Sequence, residues 1–377
     1  MNRKSGNMAT KPLFWLKWGV PMALIIGIKT AQFFPSLIEN VYSTHWYVSI
    51  SEILRILTGW IPFSLGDILY GGLAIFLLIK VVLVTRLLLG KKLTWKGTGM
   101  AALRIVKILM WIYIWFNLAW GLNYHRLGIA HQLGLQKFEY CKEDVRSLTR
   151  EIIQKLNECR RQIKDTTLPQ PSLAEVFKGA YNSYENVSKE MSFLTYHHGS
   201  VKSSLYSSSL GSYFGFTGYY DPFSGEAQVR SDIPRVLIPY ISCHEMAHQL
   251  GYASESDANF VGYLAASSSD DVYFRYSVYL DLFSYAQGQE VISYLAERDV
   301  KGLIQEMKKN RTDLDTLVKN DRKQIREFFF KRRNRISPLV SGLYDQYLKM
   351  NHQLAGINSY DEVIDWLIAY RKKYGKL

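Results

Sequence analysis

Between Ile241 and Phe260 the chain reads ISCHEMAHQLGYASESDANF. His244 and His248 stand four residues apart, and Glu245 follows the first histidine directly. On an α-helix, residues at that spacing lie one above the other, so both imidazoles share a face. Two imidazoles so placed can grip a zinc ion, and a glutamate one step round can act as base on a water that the ion polarises. Pro234 and Pro239 suit the start of such a helix, and Gly251 suits its end. Cys243 points about 100° away from His244 on that helix and reads as a small buried side chain. The same residues also fit a polar helix face with two histidines and no metal.

A zinc centre for hydrolysis needs a third protein ligand and an open position. Three residues after Gly251 stands Ser254, a poor ligand, which disfavours a third histidine in the pattern H-x-x-G-x-x-H. The following SESDAN offers carboxylates instead. Ser254 suits an N-cap, Glu255 then opens a second helix, Asp257 falls in its first turn and Asn259 lies one turn on. Glu255 is the expected third ligand and Asp257 its competitor, while Asn259 is expected to orient a ligand histidine. Both acids also fit a first helical turn with no metal at all.

The elements that must position these groups divide the chain unevenly. Three apolar segments, at about residues 13–34, 65–89 and 100–122, have the length needed to cross a bilayer, with Trp and Tyr near their ends. Lys17, Arg104 and Lys107 lie where they can snorkel, and Lys80 sits deeper. Arg3, Lys4 and Lys11 precede the first segment, and Arg86, Lys91, Lys92 and Lys96 surround the second connection, whereas the first connection carries only Arg55. The positive-inside rule then puts the N-terminus in the cytoplasm, and residues 124–377 outside the cytoplasmic membrane. The connection at 35–64 is expected outside too, as an amphipathic piece on the membrane surface.

From Tyr124 onward the chain has ordinary charge density and is long enough for its own core. Periodicity predicts helices over 141–163 and 172–191, the second opened by a capping box of Ser172 and Glu175. Ser359 and Glu362 repeat that box, and the Ser-rich 202–216 reads as strand or loop. The formal charge of +13 comes from basic residues spread along the chain without a nucleic-acid motif, so nucleic acid is excluded as partner. The run KRRNR at 331–335 reads as a solvated helix face. Three cysteines make no disulfide framework, although a Cys141–Cys159 pair stays open.

Six stretches carry a resemblance in order along nearly the whole chain: PFSLGDILY from Pro62, WGLNYHR from Trp120, GFTGYYDPFSGEAQV from Gly215, CHEMAHQLGYASESDANF from Cys243, FRYSVYL from Phe274 and NSYDEVIDWLIAYR from Asn358. In these the chain resembles a bacterial family of membrane-anchored, zincin-like proteins catalogued as domain of unknown function 3810. It departs from the family pattern at Gln228, Leu250 and Asp257, where Asn, Arg and Glu are frequent. The last departure favours Glu255 as ligand. The resemblance implies a zinc peptidase fold with a downstream Glu ligand, gluzincin-like, and supplies no substrate. By analogy with that class, Glu226–Val229 is expected to be an edge strand that pairs with extended substrate, which makes Glu226 and Gln228 candidate substrate-binding residues. A plain structural hairpin fits those residues equally. Tyr219, Tyr220, Arg275 and Tyr276 are candidates to stabilise the developing oxyanion, though Arg275 also suits an ion pair with Asp270, Asp271 or Asp281.

The expectation is therefore a membrane region of three transmembrane helices, residues 1–123, joined to a mainly α, α+β zincin-like extracytoplasmic domain, residues 124–377, with a small sheet beside the HExxH helix. One Zn2+ held by His244, His248 and Glu255, with Glu245 as base, would hydrolyse a peptide or protein substrate near the lipid bilayer or in the cell envelope. The rival from another class is a non-catalytic zinc-binding receptor or envelope assembly factor on the same fold. An intramembrane protease is disfavoured, because the motif lies well beyond the last apolar segment.

Overall fold

The computed structural model describes residues 10–90, 94–136, 139–163, 170–206, 211–334, 337–351, 353 and 362–377. Arg3, Lys4, Lys91, Lys92, the Ser207–Ser209 run, Arg335 and the capping box at Ser359 lie outside the described residues.

The chain opens with α1 (Thr10–Ala31). A nearly continuous helical run follows: α2 (Pro35–Leu37), a π-helical stretch (Ile38–Trp46) and α3 (Tyr47–Gly59). Next come α4 (Leu65–Leu89) and α5 (Trp95–Ala119). Both long helices start at side-chain caps, with Ser64 Oγ accepting from Asp67 N and Thr94 Oγ1 from Gly97 N. α4 and α5 are long and apolar enough to cross a membrane. Leu16–Ala31 and Pro35–Gly59 pass that test only as a pair, bent by 101°, which would make a third span.

The remaining elements are α6 (Gly128–Gln132), α7 (Lys142–Gln162), α8 (Leu173–Ser188), β1 (Val201–Ser203), α9 (Gly211–Phe214), β2 (Gly218–Asp221) and β3 (Glu226–Val229). They are followed by α10 (Ile238–Gln249), α11 (Glu255–Ser267), α12 (Val272–Ala296), α13 (Val300–Asp313), α14 (Thr316–Lys331), α15 (Ser337–Met350) and α16 (Val363–Tyr374). The protein is mainly helical with one small mixed sheet. α8 carries the capping box expected of Ser172 and Glu175. Cys141 caps α7 and Cys159 lies near its other end, roughly 27 Å away along the axis, too far for a disulfide.

α10 and α11 form the centre of the core. Every position of α10 except Ile241 is buried, and so is every position of α11 from Glu255 to Ala266. A helix enclosed on all sides has no solvent face, so its ionisable groups must find partners inside the protein. The sheet has the order β1-β3-β2, with β1 parallel and β2 antiparallel to β3. β3 is therefore the central strand, buried at all four positions. This corrects the expectation that Glu226–Val229 pairs with substrate: both its edges are already taken, and among the described residues the outer edges of the sheet belong to β1 and β2.

The contacts do not divide at residue 123. One face of α3, with Tyr47, Ser51 and Arg55, is buried. Tyr47 Oη donates to the carbonyls of His248 and Gln249, each at 3.3 Å, and Ser51 Oγ donates to the latter at 2.6 Å. The Gly251 N–H also reaches the His248 carbonyl, whereas the Gln249 carbonyl at the end of α10 has these two hydroxyls as its donors. Glu39 of the π-helical stretch forms a buried ion pair with Arg126 at 2.7 Å, and Arg126 Nη1 reaches the Gly251 carbonyl at 3.0 Å. The connection at 35–64 thus does more than rest on a membrane surface, although its other face exposes Trp46, Val48, Ile53, Leu57 and Trp60.

Glu226 is tied to the start of the apolar helix α4 instead of a substrate. Its carboxylate accepts from Leu65 N at 3.2 Å and Gly66 N at 2.8 Å, opposite the positive end of the α4 dipole. Gln228 is fully buried and donates to Glu226 Oε2 at 3.2 Å, so it too faces away from any substrate. Replacing Glu226 by Ala should leave two buried N–H groups without an acceptor and cost about 2–3 kcal/mol. Thermal unfolding of the full chain in detergent measures this, and an unchanged midpoint would contradict the anchoring role.

Candidate metal centre

The helix that carries the histidines begins as expected. Pro234 caps a 3-10 turn (Arg235–Leu237), α10 follows with Pro239 in its first turn, and Gly251 ends the segment at φ +88°. Only glycine suits that position, since a Cβ there would also lie 2.7 Å from Tyr47 Cε1. The chain reverses at once, and the Tyr252 carbonyl accepts from His248 Nδ1 at 2.7 Å. That bond places a proton on Nδ1 and turns Nε2 toward Glu255. α11 starts after Ser254, whose backbone is extended as an N-cap requires, while its hydroxyl pairs with Ser256 Oγ at 2.8 Å.

This turn brings Glu255 back onto the histidines. Its Oε2 lies 3.3 Å from His244 Nε2 and 3.6 Å from His248 Nε2. Donor atoms 2.0–2.2 Å from a tetrahedral zinc ion stand about 3.3–3.6 Å apart, so the spacing fits. Ligand atoms of His244, Glu245 and His248 also fall within 4.8 Å of one another. Tyr344 Oη donates to Glu255 Oε1 at 2.6 Å and fixes the carboxylate, whereas Glu255 Oε2 is buried with no hydrogen-bond donor. A buried carboxylate oxygen without a donor, held between two imidazole nitrogens, is a place that a cation would satisfy. The donor set therefore fits zinc.

The electrostatics express the same crowding. Burial pushes the Glu255 carboxyl up, but the closeness of the His244 and His248 rings outweighs it and holds the group well below the ordinary range. Burial depresses His248, yet Glu255 and Glu245 reverse that and raise it to about 9. His244 is lowered, by burial first and by its neighbour His248, against the pull of Glu255 and Asn259. Asn259 lies beside His244 and accepts from Tyr240 Oη, while His244 Nδ1 is buried without a hydrogen bond. Glu245 is pushed up to about 8 by burial. Its Oε1 rests where a Cβ on Gly218 would stand, only 2.4 Å away, so a side chain at 218 would displace it.

Asp257, the competing ligand, is turned elsewhere. It accepts from the backbone of Ile129 and abuts Gly128, and burial raises its carboxyl to about 7. At i+2 from Glu255 it falls on a different face of α11.

The group opens into a cleft of about 970 Å³. Tyr219 and Tyr220 of the β2 edge line it, but their hydroxyls are engaged: Tyr219 donates to Asp67, and Tyr220 shares a 3.3 Å hydrogen bond with Tyr47. Arg275 and Tyr276 do not line it, which corrects their expected role. The cleft face of α12 carries Asp281, Ser284 and Tyr285, while Tyr276 donates to Asp321 at 2.7 Å and Arg275 holds the Ser269 carbonyl. Arg275 pairs with none of Asp270, Asp271 and Asp281 among the described residues. Sequence reasoning missed Tyr344 and the pair Tyr124–Tyr347, whose hydroxyls are 3.2 Å apart at the cleft. Their spacing looks like ordinary aromatic packing, and the Tyr252 carbonyl is a backbone group with no sequence signal.

The family model described as Protein of unknown function (DUF3810) matches residues 42–368, and the chain belongs to that family. No curated protein and no solved structure matches the chain.

Glu245 supplies a pH test. Its folded pKa lies above the ordinary 4.5, so its contribution is intact below pH 4.5 and is lost as pH rises through about 8. With chelator present, Glu245→Gln should gain stability over wild type as pH rises from 5 to 9, by on the order of 3 kcal/mol. Denaturant unfolding across that range measures it, and parallel profiles would contradict the burial argument.

Proposed function

We propose that this member of the DUF3810 family is a membrane-anchored zinc metallopeptidase of the zincin type, with Glu255 as the third ligand. The observation that carries the reading is Glu255 Oε2, buried without a donor and 3.3 and 3.6 Å from the two imidazole nitrogens. His244 Nε2, His248 Nε2 and Glu255 Oε2 would hold the ion, with Tyr344 and the Tyr252 carbonyl holding the ligands. Zinc bound there would act as a Lewis acid on a carbonyl and raise the acidity of water. Glu245, buried beside the two imidazoles, suits a base that takes a proton from water and returns it to the leaving nitrogen. Its Oε2 has no hydrogen-bond partner that would compete for that role.

The rest of the cleft supports a peptide substrate. β2 offers a free strand edge along the wall beside Glu245, where main-chain pairing gives affinity without a fixed sequence. Tyr124 and Tyr347 are the candidate donors to the oxygen of the attacked carbonyl. Trp120 and Tyr124, which also line the cleft, follow directly on α5. A cleft at the end of an apolar helix suits substrates at the bilayer surface, and the charge pattern favours the outer side of the cytoplasmic membrane.

The test uses the full chain in detergent. Wild type and Glu245→Gln should each bind one zinc by elemental analysis, and only wild type should cleave a peptide library. Glu255→Gln should lose zinc affinity by about 10–100-fold or more. Chelation should abolish cleavage and added zinc should restore it. Zinc without cleavage by wild type would favour the receptor reading, and absence of bound metal would reject both.

A further inference from the structure

The cleft has a second charged feature that the metal chemistry does not use. Arg322, Ile325, Arg326 and Phe329 all line it, and their spacing puts them on one face of α14. The face therefore presents two guanidinium groups one turn apart beside apolar surface. Like charges at that spacing destabilise a helix. Three arginines with buried side chains each have a carboxylate: Arg160 pairs with Asp321 at 2.8 Å, Arg230 with Asp232 at 2.8 Å and Arg126 with Glu39 at 2.7 Å. Among the described residues Arg322 and Arg326 pair with none. Asp321, next to Arg322 in sequence, is taken by Arg160 and Tyr276. Asp281 lines the same cleft but forms no ion pair with either arginine.

Arg322 is also held in place. Its Nη2 donates to Gln287 Oε1 at 3.2 Å, and its guanidinium lies 4.2 Å from the centre of the Phe283 ring. A stacked, half-buried guanidinium keeps its remaining N–H groups in a fixed fork, the geometry that binds carboxylates in bidentate fashion. Burial and the neighbouring Arg326 press its pKa down to about 10, the mark of a cation that lacks its counter-ion.

We propose that Arg322 and Arg326 form a subsite for a carboxylate of the peptide substrate, either an acidic side chain or the free C-terminus. This rests on reading the cleft as a peptidase site and adds a substrate class to it: peptides that carry negative charge to one side of the cut bond. An acidic group there relieves the repulsion between the two guanidinium groups.

The experiment measures binding, so it does not depend on turnover. Full chain carrying Glu245→Gln, in detergent micelles, is titrated into four pools of fluorescein-labelled octapeptides: Glu-containing or Gln-containing, each with free or amidated C-termini. Anisotropy should show at least one carboxylate-bearing pool binding about tenfold more tightly than the Gln amide pool. The pool that gains identifies the source, side chain or terminus. Arg322→Gln with Arg326→Gln should erase the difference while zinc content stays unchanged, and the double Lys variant, which keeps charge but loses the fork, should retain part of it. Equal affinity for all four pools, or discrimination that survives both double variants intact, would overturn the proposal. So would phosphatidylglycerol vesicles competing with every pool alike where the peptides show no charge preference, which would assign the arginines to a lipid headgroup. Failure of wild type to bind zinc or to cleave bears on the metallopeptidase reading and leaves this charge preference measurable.

Discussion

The structure is organised around one costly arrangement: a carboxylate and two imidazoles enclosed together in the core. Glu255, His244 and His248 are all buried, and one Glu255 oxygen has no donor. Leaving a buried ionic group unsatisfied is expensive, on the order of several kcal/mol. The surroundings hold the three groups together nevertheless. Tyr344 fixes one carboxylate oxygen, the Tyr252 carbonyl fixes one ring, and Gly251 makes the turn that lets α11 return across α10. Rigid support around an unsatisfied centre is what a metal site requires of its protein.

The second theme is continuity between the apolar helices and this centre. The first turn of α4 is capped by Glu226 from the central strand, and Asp67 of that turn accepts from the Tyr219 hydroxyl of the strand beside Glu245. Tyr47 and Ser51 hold the last carbonyls of α10. The family match begins at residue 42, inside the segment that supplies those two side chains. The helices that can span a bilayer are thus part of the framework of the cleft. Displacing them would disturb β2 and the end of α10 together.

Much of this was legible in the sequence because it rests on local rules. The four-residue spacing of His244 and His248, the prolines and glycine that bound their helix, the Ser172 box and the apolar length of residues 65–89 all act within one element. The Glu255 position was readable once Ser254 marked a new helix start. What could not be read depends on tertiary packing. A four-residue strand such as Glu226–Val229 gives no sign of whether its edges are free, and here β1 and β2 occupy both. Arg275 and Tyr276 have suitable chemistry, but the rotation of α12 turns them toward other partners. Tyr344 arrives from a helix almost ninety residues beyond the carboxylate it holds, and only folding brings the two together.

The central claim concerns the identity of three atoms around one ion, and X-ray absorption at the zinc edge of the metal-loaded full chain tests it directly. The account predicts a shell of nitrogen and oxygen only, at about 2.0–2.2 Å, with the outer-shell scattering of two imidazoles. The same spectrum from Glu255→Ala should lose one light-atom ligand and keep both imidazoles. A sulfur scatterer at about 2.3 Å, fewer than two imidazoles in the wild type, or a spectrum unaltered by removal of Glu255 would contradict it.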